Sequence, residues 1–273
     1  MMKHVFIVAK KDSKEVLKVA RDVMAYLNLK GIGTVCDIAT AREMKVCGED
    51  PKKAKCDLVF VLGGDGTMLW AESKISGRGI PLLGMNFGTM GFLTEIGPEN
   101  WKEAIDRVLE GHYNIEKRNK IDISINGKVI GKALNEVVVK TAVPVEMLSL
   151  EVGVDDQEAD TAMADGIIVA TPTGSTAYSM SVGGPIVDTR VRAFIITSIS
   201  PFKLGARPLI VPDTSKISIK LTGKQSGVVV IDGESRREVS SKDEITCTLS
   251  SDQAHFVKLE KDFYEKVKRR LRK

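Results

Sequence analysis

A chain of 273 residues with 43% hydrophobic and 28% charged side chains has an ordinary globular composition, and it is long enough to bury one large core or two smaller ones. Its net charge of +4 is a mild excess, and no stretch approaches the roughly 18–20 consecutive apolar residues of a membrane span. The four cysteines (Cys36, Cys47, Cys56, Cys247) form no C-x-x-C pair and the three histidines are scattered, so zinc-ribbon and thioredoxin-type chemistry are excluded.

The opening residues reach Lys10-Lys11-Asp12 too soon for a secretory signal and read instead as a first buried strand, His4–Ala9. Free thiols in a reducing cytosol and a cytoplasmic location follow from the cysteine usage. Asp12-x-x-Glu15 has the form of a capping box. Val16, Val19, Ala20, Val23 and Leu27 then recur at helical spacing until Gly31. Residues 34–39, 57–62 and 80–85 read as further strands, and the unbroken apolar run of 57–62 suits a strand buried on both faces. Pro98 suits a first helical position, ahead of the stripe Trp101, Ile105, Val108 and Leu109. Strand and helix in alternation predict an α/β domain with a parallel open sheet over residues 1–115.

From about residue 116 the texture changes. Ile121, Ile123 and Ile125 alternate with polar residues before the hairpin signal Asn126-Gly127. Short apolar runs follow at 134–140, 147–154, 167–170, 193–199, 217–221, 228–231 and 245–249, with one helix-like stretch near 173–181. Their spacing predicts a β-rich sandwich domain over 116–257. Residues 258–273 carry Phe263, Tyr264, Val267 and Leu271 near helical spacing. A helix there that packs back on the first domain explains the basic tail better than a nucleic-acid or membrane arm does.

The sharpest local feature is Gly63-Gly64-Asp65-Gly66-Thr67, between an apolar strand and the helical stretch 68–74. Glycines at a strand end admit a ligand close to the backbone, and the next helix points free N–H groups at it. This is neither a Walker A loop nor a Gly-x-Gly-x-x-Gly fingerprint. Asp65 is the unusual member, because a carboxylate beside a phosphate cradle carries an electrostatic cost. It suits a group that accepts the proton of an attacking hydroxyl or helps to hold magnesium.

This loop resembles the signature shared by NAD kinases, diacylglycerol and sphingosine kinases and, more loosely, phosphofructokinases. Three further segments are similar to NAD kinases in particular. They are Asn135-Glu136 within Ala133-Leu134-Asn135-Glu136-Val137-Val138-Val139, the run from Asp165-Gly166 through Thr171-Pro172-Thr173-Gly174-Ser175-Thr176-Ala177-Tyr178-Ser179 to Gly183-Gly184-Pro185, and Gly84-Met85-Asn86-Phe87-Gly88-Thr89-Met90-Gly91-Phe92-Leu93. The resemblance spans residues 55–235. It implies transfer of the terminal phosphoryl group of ATP or polyphosphate to the 2′-hydroxyl of the adenosine ribose of NAD, in a cytoplasmic homodimer or homotetramer with no nucleic-acid or membrane partner.

The same resemblance implies residue roles. Asp65 would be the general base. Asp65, Gly66, Phe92, Asn135, Glu136, Asp165, Thr176, Ala177, Tyr178 and Ser181 would line the NAD site, with Asp165 at the nicotinamide end. Gly63, Gly64, Gly66 and Thr67 would lie near the donor phosphates. A divalent cation, Mg2+, would be held mainly by those phosphates. Phe202 stands where many relatives carry histidine, and Lys203 and Arg207 fit either a compensating charge or a surface loop. Asp232-Gly233-Glu234 resembles a late turn of the family, though a hairpin turn explains it fully. A lipid kinase and a dinucleotide sensor are the rival readings. The polar character of 171–181 speaks against the first, and the presence of Asp65 against the second.

Overall fold

The computed structural model describes residues 2–88, 91–143, 145–260 and 263–272. The chain divides into two compact units, Met1–Lys117 with Gln253–Lys273, and Arg118–Asp252.

The first unit alternates β1 (His4–Ala9), α1 (Lys14–Leu29), β2 (Gly33–Asp37), α2 (Ile38–Met44), β3 (Gly48–Glu49), β4 (Leu58–Leu62), α3 (Asp65–Ile75), β5 (Leu82–Met85) and α4 (Trp101–Leu109). The strands form a parallel sheet in the order β3-β2-β1-β4-β5. Every residue of β4 is buried, as its apolar run requires. Helix α1 turns Val16, Ala20, Val23 and Leu27 onto this sheet, where they join Val5, Ile7, Phe60 and Leu62 in one core. The left-handed Gly31 (φ 77°) follows its C-terminus.

Three local readings are corrected. Helix α1 is capped by Ser13, whose side chain accepts the Val16 N–H, and not by Asp12. The strand read over 34–39 stops at Asp37, because the Asp37 carboxylate accepts the amides of Ala39 and Thr40 and starts α2. Helix α4 begins at Trp101 after the N-cap Asn100, so Pro98 precedes it.

The second unit is β-rich. It contains most of β6 (Asn114–Ile125), then β7 (Lys128–Ala133), β8 (Glu136–Thr141), β9 (Leu148–Val154), β10 (Gln157–Ala164), β11 (Gly166–Ala170), a 3-10 turn (Gly174–Thr176), α5 (Tyr178–Ser181), β12 (Ala193–Ile199), β13 (Leu209–Pro212), β14 (Ile217–Leu221), β15 (Gly227–Ile231), β16 (Ser235–Val239) and the first part of β17 (Glu244–Lys258). One sheet runs β13-β12-β11-β8-β15-β16, antiparallel throughout. The other runs β10-β9-β14-β17, with β6 beside β17 and β7 beside β6. The β6–β7 hairpin turns through Asn126 and Gly127, both at positive φ.

Two cores flank the β8–β11–β12 sheet. Val137, Val139, Ile167, Val169, Phe194 and Ile196 point into the larger core, and Val138, Ile168, Ala170 and Ile195 into a smaller one on the opposite face. Burial on both faces explains why these strands read as continuous apolar runs.

The last part of β17 returns to the first unit, where Phe256 pairs in parallel with Leu82, and α6 (Phe263–Leu271) follows. Helix α6 buries Lys266, while Tyr264 and Leu271 of the expected apolar stripe are exposed. No described helix is long and apolar enough to cross a membrane.

Candidate active site

In the first unit the glycine loop lies at the C-terminal end of β4, the position where open parallel sheets present ligands. Gly63 donates its N–H to Met85 O at 2.9 Å, which fixes the strand end against β5. A Cβ on Gly63 would stand 2.4 Å from Thr67 Oγ1, so Thr67 packs over this glycine. Gly64 is the N-cap of α3 without a side-chain cap, and Asp65 is its first residue. A Cβ on Gly66 would meet nothing within 4 Å, so its glycine serves no packing need.

Asp65 is held from a distant part of the sequence. Its Oδ2 accepts the Phe92 N–H at 2.8 Å and its Oδ1 the Leu93 N–H at 3.0 Å. A Cβ on Gly91 would lie 2.1 Å from Asp65 Oδ1, so the carboxylate occupies the space that a side chain there would take. The segment carrying these amides is itself tied to β5, through Glu95 N–H to Gly84 O and Asn86 N–H to Ile96 O. The structure thus gathers Gly63, Gly64, Asp65, Gly66, Thr67 and Phe92 at one strand end. A carboxylate has about four lone-pair positions, so one accepting two N–H groups can still accept a hydroxyl or meet a cation. No group of three or more potential metal-ligating side chains occurs among the described residues.

In the second unit Asn135 and Glu136 lead into β8, and the segment 171–181 folds over them. Thr171 Oγ1 donates to Leu134 O at 2.6 Å, and Thr171 N–H to Asn135 O at 2.9 Å. A Cβ on Gly174 would stand 2.1 Å from Asn135 O, so only glycine permits this approach. Glu136 is buried and accepts the backbone N–H of Tyr178, while its Oε2 has no hydrogen-bond partner among the described residues. Burial, reinforced by the nearby Asp232 carboxylate, pushes its acid up to about 7.

The hydroxyls of 171–181 divide into two sets. Ser175 Oγ donates to Pro172 O and accepts the Val187 N–H, Thr176 Oγ1 donates to Thr173 O, and Ser179 Oγ meets Thr197 Oγ1. These groups hold the segment together. Tyr178 and Ser181 are exposed beside them, with Ala177 half-buried.

Asp165 lies elsewhere. Ala170 pairs with Glu136 and Gly166 with Lys140, so Asp165, just before β11, sits at the opposite end of the β8–β11 ladder. At about 3.3 Å per residue, the two carboxylates mark positions roughly 15 Å apart. Met163, Phe202 and Leu204 are exposed near that end, where Phe202 N–H donates to Met163 O at 2.8 Å.

Sequence reasoning missed the reach of Asp232. Its Oδ2 accepts the Leu134 N–H at 2.8 Å, and its Oδ1 accepts the N–H groups of Asn135 (2.9 Å) and Glu136 (3.0 Å). Its left-handed backbone (φ 46°) aims the carboxylate back at β8. Burial raises its pKa, and those three amides oppose the rise. The only signal in the sequence was the Asp-Gly turn itself.

A strand-end glycine loop with an oriented carboxylate, in a chain that adds a β-rich second unit, defines a phosphotransferase class. Residues 5–113 match the family model of the ATP-NAD kinase N-terminal domain, and residues 134–259 that of the C-terminal domain. The chain is 45% identical over 274 residues to the NAD kinase of Methanothermobacter thermautotrophicus, covering 99% of this chain and 96% of that one. It is similar in structure to an NAD kinase from Archaeoglobus fulgidus in complex with ATP, with TM-score 0.82 and 29% identity over 97% of this chain and 98% of that one. It shares its fold with yeast NADH kinase complexed with NADH, with TM-score 0.91 at 24% identity over 98% and 86% of the two chains. The chain belongs to the NAD kinase family.

Proposed function

We infer that this chain is an NAD kinase that moves the terminal phosphoryl group of ATP to the 2′-hydroxyl of the adenosine ribose of NAD, giving NADP. The observation that carries the residue assignment is Asp65, a carboxylate set among glycines and aimed by two backbone amides.

Phosphoryl transfer asks for positioning and charge neutralisation more than covalent chemistry. The amides of Asp65 and Gly66 open α3 ahead of its first backbone bonds, from Thr67 and Met68 to Gly64 O, and suit donor phosphate oxygens above Gly63, Gly64, Gly66 and Thr67. The two amides on Asp65 fix the direction of its carboxylate, so it acts chiefly by accepting the hydrogen bond of the 2′-hydroxyl and fixing its line of attack. The proton leaves through this carboxylate as the new P–O bond forms and the bond from the terminal phosphorus to the bridging oxygen of ATP breaks, releasing ADP. A divalent cation, when bound, neutralises charge on the transferred phosphate. Such an ion, Mg2+, would be held mainly by the donor phosphates, and Asp65 is the one carboxylate of the glycine loop that could join them.

Asn135 and Glu136 present an amide and a carboxyl group to the base and ribose of NAD, and Tyr178 adds a ring face, with Phe92, Thr176, Ala177 and Ser181 bordering the dinucleotide. Asp165, at the other end of the ladder from Glu136, serves the nicotinamide end, either within the subunit or across a homodimer or homotetramer contact. Polyphosphate is the alternative donor, and the cytoplasm the working compartment.

A coupled assay with NAD, ATP and magnesium, reading NADP through an NADP-specific dehydrogenase, tests this reading. NADP formation that disappears on chelation of the metal supports it. Absence of NADP with ATP, other triphosphates and polyphosphate alike removes it.

A further inference from the structure

The basic C-terminal segment has no part in the chemistry described so far, yet it meets the stretch that aims Asp65. Residues 92–95 contact it at three places. The Phe92 and Phe263 rings lie 6.4 Å apart in a tilted pair. Lys266, only 5% exposed, donates from Nζ to Thr94 O at 2.7 Å. The Glu95 carboxylate, 2% exposed, pairs with Lys258 and with Lys266 Nζ at 3.8 Å, and its Oε1 also accepts the Leu259 and Glu260 N–H groups.

A buried lysine is unusual at an exposed, basic chain end, because removing an ammonium from water is costly unless acceptors replace the water. Here the acceptors are a carbonyl and a carboxylate of the same short segment. The amides of Phe92 and Leu93, immediately before those acceptors, are the ones that hold Asp65. The same segment returns to β5 through Gly84. It is therefore pinned by β5 on one side and by the C-terminal segment on the other.

We propose that Lys266 and Glu95 are positioning residues for phosphoryl transfer, which fix Asp65 by locking the turn whose amides bind it. The proposal rests on the reading of Asp65 given above. Lys266 does not touch substrate in this scheme. Its loss lets the 92–95 backbone relax, so that Asp65 loses its fixed direction while NAD contacts in the second unit stay as they are. Small misplacements of a reacting group are expensive in rate, and the effect falls on kcat.

The test compares Lys266→Met, Glu95→Gln and Asp65→Ala with the unsubstituted enzyme. Each is measured for kcat, KM for NAD, melting temperature and amide hydrogen exchange of a peptide containing Phe92 and Leu93. Glu95→Gln keeps size and an acceptor, and so serves if Lys266→Met fails to fold. The expected result is a fall in kcat of roughly ten- to a hundredfold with KM for NAD within about threefold, together with faster exchange at Phe92 and Leu93. In the Asp65→Ala background, Lys266→Met should cost less than about twofold more, since both act through one group. Lowered melting temperature with unchanged kcat and exchange in both variants overturns the proposal and leaves Asp65 standing. Near-normal turnover of Asp65→Ala overturns the Asp65 reading itself, and the proposal with it.

Discussion

Asp232 accepts the backbone N–H of Glu136 at 3.0 Å, and the same carboxylate helps to drive the Glu136 acid upward to about 7. One residue thus fixes the entry to β8 and adds to the burial that raises the proton affinity of the side chain presented there. Asp232→Ala strips an acceptor from three N–H groups of residues 134–136. It should destabilise the fold by roughly 3 kcal/mol or more, since bonds to a charged acceptor contribute about 1.5–3 kcal/mol each. Asp232→Asn keeps one acceptor oxygen and tolerates the left-handed backbone, so it should lose less. Denaturant unfolding of the pair checks the order, and equal losses would mean that the hydrogen bonds are not what matters.

Glu136 gives a pH dependence with a definite sign. Its folded pKa of about 7 lies above the ordinary 4.5, so the folded state binds the proton more tightly. The associated stability is fully present below pH about 4.5 and is lost as the pH rises through about 7, a loss of roughly 3 kcal/mol. Glu136→Gln removes this term, because a neutral amide has no charge to bury. The variant should match the unsubstituted protein near pH 4.5 and exceed it in melting temperature at pH 8, while binding NAD less well. The carboxylates of Asp57, Asp106, Asp155 and Asp243 are held below their ordinary range by hydrogen bonds and act in the opposite sense, but they are common to both proteins and cancel. A melting-temperature difference that does not change with pH would show that Glu136 titrates normally.

The amides on Asp65 change what its substitution means. Asp65→Asn puts an NH2 group against the N–H of either Phe92 or Leu93, so it loses an orienting bond as well as the charge. Gly91→Ala reaches the same carboxylate from outside, with a Cβ that would come within 2.1 Å of Oδ1. Both variants should lower kcat by about 10²–10⁴-fold with NAD affinity largely retained. Calorimetry of NAD binding beside turnover decides. Full activity in Gly91→Ala would show that the carboxylate need not sit where these amides hold it.

The two units differ in how openly the sequence declares them. The parallel sheet was legible because β4 is apolar throughout and the β1–α1 alternation carries its own periodicity. The hairpin at Asn126-Gly127 was legible from turn chemistry alone. Strand β10 was not, since Gln157, Glu158 and Asp160 line an edge strand open to water and leave no apolar pattern. The same limit applies to the site. The glycine loop is local and readable, whereas the link from Asp232 to Leu134 spans 98 positions and depends on how the strands meet. In the segment 171–181 composition shows the hydroxyls but not their partners, and those of Ser175 and Ser179 are buried in internal hydrogen bonds.

Gly66 separates a packing glycine from a ligand-facing one. Nothing lies within 4 Å of a Cβ placed there, and its backbone is an ordinary first turn of α3. Gly66→Ala should therefore leave the fold intact and raise its stability by up to about 1 kcal/mol, because alanine has fewer unfolded conformations to lose. If donor phosphates approach this backbone, the added methyl stands in their path and KM for ATP should rise about tenfold or more, with KM for NAD affected less. Gly63→Ala is the contrast, since its Cβ would strike Thr67 Oγ1 at 2.4 Å and should lower stability as well as activity. Thermal melts and steady-state kinetics on both variants separate the cases. A Gly66→Ala enzyme with unchanged KM for ATP would move the donor phosphates away from this loop.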